Sequence, residues 1–187
     1  MYDLVQNVAR TGAARAADEL LPVIRRLRHD TEGERRIAGP IVDGLRNTRL
    51  CRMAITRELH GLELPIADAL EVYELLAGAE ASVAWIVWNN SLPAMFSRYL
   101  DGAARGELFG NPQWLYASST RPSGRAITEG DGYRVNGRWS LVSGCELAEW
   151  IALMCIVEEP GESSPAQDDA PEMRLLFVRR GNYEIID

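Results

Sequence analysis

Gly132-Tyr133-Arg134-Val135-Asn136-Gly137-Arg138-Trp139-Ser140-Leu141-Val142-Ser143-Gly144 is the stretch on which the reading of the fold turns. Its aromatic and β-branched residues suit a pleated surface. Asn136-Gly137 predicts a tight hairpin turn between strands over 133–135 and 138–140, because both central positions of a type I′ turn need positive φ. Runs of the same character at 114–118, 132–135, 138–142, 150–157 and 174–178 predict further strands. Residues 158–172, between the last two, are rich in Pro, Ser, Asp and Glu and read as a mobile, solvated acidic loop without chemistry of its own.

Upstream the periodicity changes. Leu4, Val5, Val8, Ala13, Ala16, Ala17, Leu20, Leu21, Ile24 and Leu27 recur at three and four, which predicts an amphipathic helix over 4–27. Thr31 and Glu34 have capping-box spacing, and a second helix is expected to start there or nearer Pro40, since proline is tolerated only in a first turn. The segment 60–65 reads as a loop, 66–76 as a third helix and 81–100 as a fourth with a break near Pro93. Helices first and strands after predict an α+β fold, with an α-helical domain over 1–111 and a β-domain over 112–187.

Composition narrows the function. The 187 residues carry a net charge of -7, against the basic face that nucleic acid requires. No apolar run is long enough for a membrane span and the start Met1-Tyr2-Asp3 lacks the basic residues of a signal peptide, so no membrane partner and a cytoplasmic location are expected. Cys51, Cys145 and Cys155 are an odd number without metal-ligand spacing and read as buried thiols. Every basic residue is Arg, which excludes Schiff-base and P-loop lysine chemistry. His29 and His60 lie far apart without a neighbouring nucleophile and read as surface or capping residues, while Trp85 and Trp88 on an apolar helix read as core. The hydroxyl-rich segment Ser118-Ser119-Thr120-Arg121-Pro122-Ser123-Gly124 and the pair Ser143-Gly144 are each expected to close a strand. There they either make turns or hydrogen-bond the polar edge of a planar ligand.

Several of these segments resemble one family in the same order. Ala79-Glu80-Ala81-Ser82-Val83-Ala84-Trp85 resembles a helix of the acyl-CoA dehydrogenase superfamily, 119–124 resembles its Thr-Glu-Pro segment, and 133–144 with Ala148-Glu149-Trp150 resembles its Trp-Ile-Thr hairpin. The resemblance implies a helical domain followed by the first part of an antiparallel β-domain, without the C-terminal helical bundle. It also implies a flavin, FAD or FMN, contacted near N5 by Ser143 and on its pyrimidine side by Thr120, Ser119 and Ser118. Leu141 stands where the dehydrogenases have a tryptophan beside the flavin. Arg121 in place of the family's Glu, together with Trp139 and Ser143-Gly144, looks more like the flavin-dependent monooxygenase branch, similar to 4-hydroxyphenylacetate and dibenzothiophene hydroxylases. That branch takes reduced flavin from a separate flavin reductase and oxygenates a small-molecule substrate. The alternatives are an FAD-dependent acyl-CoA desaturase and a non-catalytic assembly module of the same fold. The resemblance further implies a homo-oligomer or a complementing chain, and a catalytic group supplied from outside these residues, so that this chain alone is expected to be inactive.

Overall fold

The computed structural model describes residues 12–158 and 171–186. Most of the acidic stretch 158–172 and the start of the expected first helix lie outside the described residues. The chain divides into two compact units, Met1–Gln113 and Trp114–Asp187.

The first unit is helical, with α1 (Gly12–Glu34), α2 (Gly39–Thr48), α3 (Ile66–Ala79), α4 (Ala81–Ala94) and α5 (Gly102–Phe109). The buried face of α1, Ala13, Ala14, Ala17, Leu21 and Ile24, follows the three-and-four spacing of the sequence. It packs on α3, which buries Val72 and Leu76 and in turn packs on α4. Pro40 stands in the first turn of α2, where its missing N–H costs no hydrogen bond. The capping-box reading of Thr31 is corrected: Thr31 lies in the last turn of α1, buried, and its Oγ1 accepts from the Ala38 N–H at 3.3 Å. The helix continues past Thr31 because Arg35, with φ 54, supplies the left-handed residue that ends it. His60 takes a left-handed capping conformation after a short 3-10 turn, as its loop position suggested.

α4 gives way to a 3-10 turn, Met95–Arg98, right after Pro93. Its polar residues are spent on its own backbone: Asn89 Nδ2, Asn90 Nδ2 and Ser91 Oγ each donate to the carbonyl four residues earlier, at 3.0, 3.2 and 3.0 Å. Trp85 and Trp88, expected in the core, are instead exposed and lean on each other with ring centroids 5.1 Å apart.

The second unit is a four-stranded sheet in the order β2-β1-β3-β4, with β1 (Tyr116–Glu129), β2 (Gly132–Gly137), β3 (Trp150–Glu158) and β4 (Met173–Arg179). Three expectations are corrected. The sheet is mixed rather than antiparallel, because β1 and β3 pair in parallel. The hairpin joins β1 to β2 through Gly130-Asp131, with Gly130 at φ +59, so Asn136-Gly137 lies inside β2 opposite Arg125 and Gly124. Residues 138–142 form no strand; they begin the connection that carries the chain from the end of β2 back to the start of β3. A parallel return needs such a crossover, and a second hairpin cannot supply one.

Candidate functional site

Ser118-Ser119-Thr120 does not close a strand, since β1 runs straight through it; what marks the place is a break in register. Ser119 pairs with Leu153 and Gly124 with Cys155, so residues 120–123 all bulge opposite the single residue Met154. Alternation along β1 puts Ser119 on the face of Ala117, Ile151 and Leu153, and Ser118 on the opposite face with Tyr116 and Ala152. Both serines are buried, whereas Thr120, Arg121, Pro122 and Ser123 in the bulge are exposed.

The 138–149 connection covers the face of Ser119. Trp139, Val142 and Cys145 pack on the cluster of Ala117, Ala126, Ala148, Ile151, Leu153 and Cys155. The structure therefore sets Ser119 on the same side of the sheet as the segment that carries Leu141 and Ser143, and Ser118 on the other side. Leu141 itself is 87% exposed at φ 59, a left-handed conformation that a leucine enters only at a cost. Its neighbours impose it: Trp139 is anchored below and Val142 packs inward.

Ser143-Gly144 opens a compact turn, in which Cys145 N–H donates to Val142 O at 3.1 Å and Leu147 N–H to Gly144 O at 3.0 Å. Gly144 has φ 80 and is buried. Two residues that the sequence did not single out hold this turn by its carbonyls. Arg180 donates to Glu146 O at 3.0 Å and Ala148 O at 3.3 Å, and the Tyr183 hydroxyl donates to Ala148 O at 3.0 Å. Both follow β4 in a segment with no periodicity to read, so no sequence signal marked them.

The thiols and the phenol near this turn are held in their protonated, neutral forms. Burial, reinforced by the Glu146 carboxylate, pushes the Cys145 thiol up from its ordinary value, and burial alone pushes Cys155 up. Burial likewise raises Tyr183, against the opposing pull of Arg180. The surroundings thus offer neutral hydroxyls and backbone groups as hydrogen-bond partners, with one apolar side chain presented outward. Among the described residues no group of three or more His, Cys, Asp or Glu could hold a metal ion, and no helix is long and apolar enough to cross a membrane.

No family model matches the chain. Over its whole length it is 31% identical to the oxygenase subunit HsaA, a flavin-dependent monooxygenase of Mycobacterium tuberculosis, covering 46% of that protein. It is 29% identical over 161 residues, 84% of the chain, to the oxygenase component of an FADH2-dependent resorcinol hydroxylase of a Rhizobium species, 37% of which it covers. The crystal structure of the M. tuberculosis HsaA monooxygenase superposes with a TM-score of 0.83 at 28% identity, over 94% of this chain and 46% of that one. The chain therefore spans less than half the length of these relatives. Sequence similarity across the entire chain, with a fold shared over 94% of it, places it, for the part it spans, among the flavin-dependent monooxygenases built on the acyl-CoA dehydrogenase fold.

Proposed function

We propose that this chain forms the helical and flavin-contacting part of the oxygenase component of a two-component monooxygenase. In this reading a separate reductase delivers reduced FAD or FMN, and a small organic molecule is hydroxylated in the completed, homo-oligomeric enzyme. The observation that carries the reading is the similarity of the whole of this chain to part of a flavin-dependent oxygenase subunit, together with a donor set that suits the cofactor. Ser143, Ser119 and Thr120 bear hydroxyls that can donate or accept, so they can serve a flavin in either redox state, and exposed Leu141 offers an apolar surface to a ring. Ser118, on the other face, is the weakest member of the set. When bound, reduced flavin supplies the electrons that activate dioxygen. The chain's own residues bind it and orient it, and the raised thiol pKa values keep Cys145 and Cys155 protonated, which makes them poor nucleophiles at neutral pH.

Anaerobic titration of the purified chain with dithionite-reduced FMN and FAD tests the reading. Reduced flavin is expected to bind more tightly than oxidised flavin. Ser143→Ala should weaken binding by about 1–3 kcal/mol, the cost of one polar partner lost in a desolvated place, without changing the far-ultraviolet circular dichroism. Tight binding of oxidised FAD alone would favour a dehydrogenase instead, and no binding of any form would point to an assembly module.

A further inference from the structure

One side chain joins the two segments assigned to the flavin. The bulge at 120–123 leaves Met154 without a partner residue on β1, and the Met154 carbonyl accepts the Trp139 Nε1–H at 3.0 Å. The six-membered ring of the same indole lies against Gly124 and Gly137, the pair that ends the β1–β2 ladder next to the bulge. A Cβ on Gly124 would fall 2.0 Å from Trp139 Cζ2, and one on Gly137 would fall 2.8 Å from Cη2. Neither position tolerates a side chain while the ring is in place. Trp139 is also only two residues before left-handed Leu141 and four before Ser143.

We propose that Trp139 is a positioning residue for the flavin site, tying the 120–123 bulge and the 141–143 segment into one rigid piece. The claim rests on the flavin reading above for its consequence but not for its geometry. The indole N–H replaces the ladder donor that the bulge removes from β3, and the ring fills the niche that two glycines leave open. Loss of either function frees both segments together, because the bulge loses its anchor and the connection loses its seat.

The test uses the 187-residue chain. Trp139→Phe keeps an aromatic ring near the glycine niche and removes the N–H. Gly124→Ala keeps the N–H and displaces the ring. Amide hydrogen exchange read by mass spectrometry should accelerate about tenfold in both variants at 120–123 and at 140–144 together, the loss of roughly one hydrogen bond's worth of local protection, while α3 and α4 stay unchanged. Binding of dithionite-reduced FMN should weaken by a similar factor. Acceleration at only one segment, or in neither, would overturn the proposal. So would unchanged affinity for reduced FMN in a variant whose two segments have loosened. If Trp139→Phe does not fold, Gly124→Ala alone decides by the same criteria. Failure of the parent chain to bind reduced FMN sinks the flavin assignment instead, and the exchange pattern then still decides whether Trp139 couples the segments.

Discussion

Arg52 in the helical unit and Trp139 in the β unit face the same problem, backbone carbonyls left over where regular structure stops, and meet it differently. Arg52 is 1% exposed, and its guanidinium donates to Leu59 O and Phe109 O, both at 2.6 Å, and to Asn111 O at 3.0 Å. It closes the end of α5 and a 3-10 turn at once, as only a multi-donor fork can. Trp139 has one N–H for one orphaned carbonyl, and the rest of its work is shape. The helical unit thus turns its buried polar groups inward, Asn89, Asn90 and Ser91 included. The β unit leaves its irregular backbone facing outward, with Thr120 and Leu141 exposed beside the Trp139 anchor. Irregular, outward-facing backbone held by a rigid underside is where binding groups are usually placed.

The largest effect is expected from Arg52→Met. It removes the donors of three backbone carbonyls at once, that of buried Phe109 among them, and should destabilise the helical unit by about 3 kcal/mol. Denaturant unfolding followed by separate probes of the two units would show the loss, and a change below about 1 kcal/mol would mean that Arg52 is not the closure described here.

A smaller and opposite effect is expected at Leu141. Leu141→Asn relieves the left-handed strain without giving up buried surface, and should raise the thermal midpoint by the equivalent of about 0.5–1 kcal/mol. Affinity for reduced flavin should fall at the same time. A variant that is both more stable and equally good at binding would remove Leu141 from the site.

The smallest effect near neutral pH belongs to Cys51. Burial pushes its thiol from 9.0 up to about 12, against the pull of Arg46 and Arg52. The folded-state value is the higher one, so the unfolded chain gives up this proton first as pH rises. The stabilisation is whole below pH 9.0 and drains away as pH climbs toward 12. Unfolding curves should therefore agree at neutral and mildly alkaline pH, then lose stability above it with a slope that Cys51→Ala makes shallower. An unchanged slope would assign the alkaline loss to other groups.

Much of the helical unit was legible. Three-and-four spacing located the buried face of α1, Pro40 marked the start of α2, and Pro93 marked the end of α4, because each acts within one or two turns of its own position. Thr31 misled because the same hydroxyl that caps a helix start also serves at a helix end, and only the backbone of Arg35 shows which. Trp85 and Trp88 misled because apolar character tells that a side chain prefers burial, not that the chain's packing covers it.

By itself the sequence determined that helices precede strands and that this is an α+β chain with hydroxyl clusters at 118–120 and 143, since periodicity and residue chemistry are local properties. Tertiary structure alone decided how those clusters are used. Glu129-Gly130-Asp131-Gly132 and Asn136-Gly137 both carry turn chemistry; the chain turns at the first, and Gly137 of the second lies against the Trp139 indole, whose N–H reaches a carbonyl on β3. The parallel pairing of β1 with β3 and the bulge opposite Met154 lie between residues far apart in sequence, and they decide which of the alternating Ser118 and Ser119 faces the 138–149 connection. Strand partners and faces are chosen by contacts between residues far apart in the chain, and a reading of neighbours in sequence does not contain them.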